Sequence, residues 1–131
     1  MAIPAQNLGG TEVLRRGGIN ALTNQWVSLN FDGTVTPNNG ALAGVVPANH
    51  IITILNFTAC EQGNATRLFY AAVVTTGIAE LYIINGVKLD PYRTYIHNDR
   101  ITLVGGDKLK FATDASANVD VWVNYIDQSW E

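Results

Sequence analysis

The stretch Val119-Asp120-Val121-Trp122-Val123-Asn124-Tyr125-Ile126 decides the fold class of this 131-residue chain. Its odd positions, Val119, Val121, Val123 and Tyr125, form one apolar face with a period of two, the repeat of a strand buried on one side. Trp122 falls on the opposite face; the core reading is nevertheless favoured for it, because a large ring is costly to leave in water. Upstream, Ile101 and Leu103, then Leu109 and Phe111, alternate in the same way on either side of Gly105-Gly106. Residues 50–60 differ: Ile51, Ile52, Ile54, Leu55 and Phe57 populate both faces. Such a strand is expected between two layers or beneath a neighbouring chain.

The remaining segments extend the pattern. Residues 26–31 alternate and then meet Asp32-Gly33, a hairpin-type dipeptide. Val35-Thr36-Pro37-Asn38-Asn39-Gly40 reads as a turn-rich loop. Strands are expected over 68–76 and 81–84, parted at Thr76-Gly77. Asn85-Gly86 is the strongest short hairpin signal and is expected to return Val87-Lys88-Leu89 against Tyr82-Ile83-Ile84. Asp90-Pro91 marks a turn before Tyr95-Ile96-His97. Short strands with regular turns predict an all-β antiparallel sandwich over residues 26–131. Residues 1–25, with Gly9-Gly10 and Gly17-Gly18 and few bulky apolar groups, cannot build a core of their own. They are read as an extended N-terminal arm or an edge strand. Extended, such an arm spans about 80 Å at roughly 3.3 Å per residue, enough to reach a neighbouring subunit.

Composition excludes several function classes. Only 15% of residues are charged against 47% hydrophobic, and the net charge is −3. Disordered chains show the reverse balance. Nucleic-acid binding needs a basic stripe, and Arg15-Arg16 is the only adjacent basic pair, so no nucleic-acid partner is expected. No apolar run approaches the roughly 20 residues of a membrane-spanning helix, and no membrane partner is expected. The first residues, Met1-Ala2-Ile3-Pro4-Ala5-Gln6-Asn7, lack the basic and apolar regions of a signal peptide, so synthesis in a cytoplasm is expected. Cys60, alone, is read as a buried inert thiol.

Catalytic signatures are missing. His50 and His97 lack a second metal ligand nearby in sequence, and assembly of His50, His97 and Cys60 into a site is disfavoured. They are read as solvent-facing or turn-capping. Asp99, Asp107, Asp114, Asp120 and Asp127 suit turns and strand ends, where aspartate accepts backbone hydrogen bonds. Nucleophile-elbow and phosphate-loop motifs are absent, and serine occurs only at 28, 116 and 129. The expectation is a non-enzyme with no cofactor and no metal. Among the aromatics, Trp26 and Trp130 are read as subunit contacts, since large rings concentrate in interface cores.

Ile101-Thr102-Leu103-Val104-Gly105-Gly106-Asp107-Lys108-Leu109-Lys110-Phe111 resembles the strand–turn–strand of jelly-roll domains, including the trimeric tumour-necrosis-factor and complement-C1q type. Glycine permits the turn and aspartate caps it. The whole course from Val13-Leu14-Arg15-Arg16-Gly17, through His50-Ile51-Ile52-Thr53-Ile54-Leu55-Asn56, to Val119 through Gln128 is similar to small virion structural proteins of tailed bacteriophages. That resemblance implies a jelly-roll-like sandwich acting as a capsid decoration (cement) protein, or as a collar, tail or fibre component. It implies homo-oligomers, trimeric by the jelly-roll analogy, and contacts with other virion proteins such as the major capsid protein. The protein would reside in the virion after synthesis in the host bacterial cytoplasm. Interface residues expected on this reading are Arg15, Arg16, Trp26 and Trp130, with both arginines meeting acidic groups of a neighbour. Two rival readings remain. A carbohydrate-binding module requires some of Trp26, Tyr92, Tyr95 and Trp130 to lie coplanar on one face. A small cupin- or glycosidase-type enzyme requires more histidines or a facing carboxylate pair.

Overall fold

Alternating apolar and polar residues rich in Val, Ile, Thr and aromatics give strands throughout. The computed structural model describes residues 11–32, 35–37, 44–76, 80–114 and 119–130. Their strands are β1 (Thr11–Leu22), β2 (Val27–Ser28), β3 (Val35–Pro37), β4 (His50–Glu61), β5 (Arg67–Val74), β6 (Glu80–Leu89), β7 (Thr94–His97), β8 (Ile101–Val104), β9 (Lys108–Thr113) and β10 (Val119–Ser129). No helix occurs among the described residues.

Two sheets face each other. The larger runs β3-β1-β10-β4-β7, with β8 also on β4, and the smaller runs β2-β9-β5-β6. Pairing is nested: β1 with β10, β2 with β9, β4 with β7 and β8, β5 with β6. The chain is therefore one long hairpin rolled into two layers, a jelly-roll sandwich. Among the described residues, all strand pairs are antiparallel except β1 with β3. Between the sheets lie Phe57, Phe69, Phe111 and Tyr125, all fully buried. Phe57 meets Phe111 edge-on at 5.3 Å, and Phe69 stacks on Phe111 at 5.9 Å.

Val119, Val121, Val123 and Tyr125 of β10 all point into this core. β4 buries one face at a time, and a bulge changes which. Ile54 pairs with Tyr125 and Asn56 with Asn124, so Leu55 is an extra residue. Before it the even positions Ile52 and Ile54 point inward; after it the odd positions Phe57, Ala59 and Glu61 do. The shift explains why Phe57 joins Ile52 and Ile54 on the inner face; Ile51, on the outer face, is buried there among its row neighbours. A second irregularity, between Ile19 and Leu22, is held by Asp120, whose Oδ1 accepts from Ala21 N at 2.9 Å and Asn20 Nδ2 at 3.1 Å.

Several local expectations are corrected. Asn85-Gly86 makes no hairpin: β6 runs straight through it, and Gly86, at φ 83°, is the extra residue of a bulge opposite Phe69 and Tyr70. An αL glycine serves a bulge as well as a tight turn, and the long partner strand β5 decides for the bulge. Val35–Pro37, expected in a loop, forms β3. Of residues 26–31, only Val27–Ser28 is strand, extended by a bond from Leu29 N to Leu109 O. Gly105-Gly106 joins β8 to β9 as expected, but the two strands lie in opposite sheets. Gly106 there has φ 94°, and a Cβ would collide with Thr76 Oγ1. Asp107 caps the turn, its Oδ2 accepting from Val104 N at 2.9 Å.

Within the segment read as arm or edge strand, Thr11–Leu22 is β1, hydrogen-bonded along β10. Residues 1–10, Gly33, Asn38-Asn39-Gly40 and Gly77 lie outside the described residues.

Candidate interaction surface

The outward side chains of the larger sheet form ordered rows. Ile96, Thr58, Trp122 and Gly18 align across β7, β4, β10 and β1. Beside them runs Asn56–Asn124–Arg16, then Thr102–Thr53–Ile126–Leu14, then Val104–Ile51–Gln128–Glu12. Arg16 and Glu12 carry the only charges of these four rows. Leu14 is 70% exposed, Ile96 58% and Trp122 38%. Asn124 Nδ2 donates to Asn56 Oδ1 at 2.9 Å, and the Arg16 guanidinium lies 5.5 Å from the centre of the Trp122 ring. Amides and threonines thus keep in water a broad sheet face that holds few charges.

Trp122 is the main correction. It belongs to this outer face, as the alternation in β10 places it, and the core reading fails because the inward row of β10 is complete without it. Cys60, read as buried, is half-buried on the same outer side, beside Thr58, Asp120 and Trp122.

The four residues read as subunit contacts do not converge. Arg15 and Arg16 are neighbours on β1 and so project to opposite faces. Arg15 Nε reaches Asp127 Oδ2 at 3.3 Å, while Asp127 Oδ1 lies 2.6 Å from His50 Nδ1. Asp127, 5% exposed, thereby ties β1 and β4 to β10 within one chain. Trp130 borders an open groove of 760 Å³ shared with Val45, Pro47, Asn49, His50 and Gly106, and its backbone N–H donates to Asn49 O at 3.1 Å. Trp26 sits on the other sheet, edge-on to Tyr70 (6.3 Å) and Tyr82 (5.9 Å), with Lys110 Nζ 4.5 Å above its ring. Lys110 also pairs with Glu80 at 2.6 Å. Ala72, paired with Tyr82 and Lys110 on this face, is fully buried although it faces outward.

Nor do the ring positions make a flat sugar platform. Trp26 meets its neighbours at 64° and 72°, Tyr95 packs against Phe69, and Tyr92 protrudes from the turn after β6. His97 stacks on Phe57 at 4.7 Å, facing inward, whereas Cys60 faces out and His50 stands at the far end of β4. At about 3.3 Å per residue that strand separates His50 from Cys60 by about 33 Å, so the three do not meet. One further buried acid, Glu61 (1% exposed), accepts from Gly63 N at 2.7 Å and faces Arg67 Nε at 3.9 Å. Sequence reading missed it, since nothing local marks an acid at a strand end as inward-facing. It also missed Leu14 and Ile96.

No protein-family model matches the chain, and no curated protein matches it. Among solved structures, the chain is similar to a chain in the structure of infectious bursal disease virus Gx strain (TM-score 0.43, 11% identity, 88% of this chain and 37% of that one). A T13 particle of the same virus gives TM-score 0.43 at 9% identity, over 89% of this chain and 35% of that one. The Eiger TNF from S. frugiperda gives TM-score 0.34 at 10% identity, over 95% and 92%. The chain spans about a third of the length of the viral chains it resembles. At TM-scores below 0.5 these likenesses carry no weight about function, and the jelly-roll sandwich rests on its own strand pairing.

Proposed function

We propose that this chain is a non-enzymatic structural protein of a tailed-bacteriophage virion, a capsid decoration protein that stabilises the particle by contacts among its own copies and with other virion proteins such as the major capsid protein. The observation that carries the reading is the outer face of the larger sheet. A face several strands wide presents Leu14, Ile96 and Trp122 among asparagines and threonines and holds two charges in four rows. Exposed apolar groups rimmed by neutral polar ones suit a surface that is covered by protein. Low charge also lessens repulsion between many close copies. On this reading the protein is made in the host bacterial cytoplasm and resides in the virion.

Mass spectrometry and reconstruction of purified particles test this. The chain is expected at high copy number, with its density on the capsid surface and the larger sheet facing protein. Density at the collar, tail or fibre would keep a structural role and overturn the decoration role. Absence from particles would overturn both.

A further inference from the structure

We infer that two copies of this chain pair edge to edge through β1, in antiparallel register centred on Leu14. The inference rests on the homo-oligomeric part of the proposed function and not on its virion part.

β1 is twelve residues long, and one of its edges is bonded to β10 along its length. On the other edge β3 meets it only at Gly18, Ile19 and Asn20. Among the described residues, nothing pairs with Thr11–Gly17 on that side. An unpaired strand edge is a template for another strand, and proteins usually blunt it with proline, bulges or repelling charges. This stretch contains no proline and no register shift.

Its sequence is self-complementary under a two-fold axis. The midpoint of Thr11–Gly17 is Leu14. With the axis there, Leu14 faces Leu14 of the second copy, and Glu12 faces Arg16 twice. Val13 faces Arg15, whose guanidinium is held by Asp127 of its own chain. Directly opposite residues have Cβ atoms about 4.5–5.5 Å apart, within reach for a carboxylate and a guanidinium. Moving the axis to residue 12, 15 or 16 puts like charges opposite each other, and moving it to Val13 leaves Glu12 opposite Leu14, so Leu14 is the centre that pairs Glu12 with Arg16. The central pair continues an apolar row, Ile126–Leu14 of one copy running into Leu14–Ile126 of the other. Leu14, 70% exposed in the single chain, is covered. The two larger sheets merge into one, and the outer faces that carry Trp122 become a continuous surface. Because the contact is isologous, it closes on itself and makes pairs, whatever other contacts an assembly adds.

Purified full-length protein tests this without particles, so its failure and that of the virion role are distinguishable. In sedimentation equilibrium from micromolar concentration upward, the unsubstituted chain is expected to dimerise. Glu12→Arg and Arg16→Glu, each checked for native circular dichroism, are each expected to weaken dimerisation about tenfold or more by placing like charges opposite. Mixing the two variants aligns two arginines with two glutamates, and heterodimers are expected at concentrations where each variant alone is monomeric. In a Cys60→Ser background, Leu14→Cys is expected to cross-link to dimers with a short bis-maleimide, whereas Ile96→Cys, exposed at the far side of the sheet, is not. A monomeric unsubstituted chain, as when residues 1–10 cover the edge, overturns the pairing. So does a dimer indifferent to both charge reversals, a mixture that fails to associate, or cross-linking at Ile96→Cys in place of Leu14→Cys.

Discussion

Asp127 shows what one residue does in this fold. Sequence reading assigned it to a strand end, and it does lie there, but its carboxylate is nearly buried and joins Arg15 of β1 to His50 of β4. Removing it leaves a cation and a ring nitrogen without their acceptor. Asp127→Ala is expected to destabilise the fold by about 1–3 kcal/mol, read as a fall in denaturation midpoint at unchanged slope, with Asp127→Asn costing less. Trp122 is the converse case. Its face was legible from Val121 and Val123; whether that face was covered was not, because burial on a second side depends on what the rest of the chain lays over it. Arg15 and Arg16 were legible as a pair but not as two residues with different fates, one held inside the chain and one lying over an exposed ring.

At the scale of elements, β4 teaches the most. A strand with apolar residues of both parities reads as buried on two faces. The fold instead gives it one buried face that changes parity at Leu55. Deleting Leu55 would make Ile54 and Asn56 consecutive opposite Tyr125 and Asn124, removing the bulge while Ile52, Ile54, Phe57 and Ala59 all stay inward. The deletion is therefore expected to keep a cooperative transition in circular dichroism melts, and loss of cooperativity would show that the bulge itself is needed. Leu55→Ala, which keeps the count and trims a half-buried side chain, is expected to cost about 2 kcal/mol or less, below the usual range for a fully buried leucine. Gly86 makes the same point in β6. Asn-Gly offers a backbone that turns left-handed, and local chemistry cannot say whether that ends a strand or bulges it. Pairing with β5 on both sides of the glycine decides.

For the whole molecule, nesting sets the kinetics. β1 joins β10 across more than a hundred residues, with Thr11 opposite Ser129, and β2 joins β9 across some eighty. Such loops must close before their contacts return free energy, so folding is expected on the slow side of the all-β range, about milliseconds to seconds. Stopped-flow refolding checks it, and a microsecond phase carrying the full amplitude would contradict it. The sequence by itself determined the all-β class, most strand positions, the inward face of β10 and the turn at Gly105-Gly106-Asp107, because alternation and turn chemistry are local. Only the tertiary structure decided that β8 and β9 lie in opposite sheets, that Thr11–Leu22 joins the larger sheet beside β10, and that no described strand covers the outer face carrying Leu14, Trp122 and Ile96. Those outcomes depend on which distant strands meet and in what register, and strand partners are chosen by the packing of the entire core.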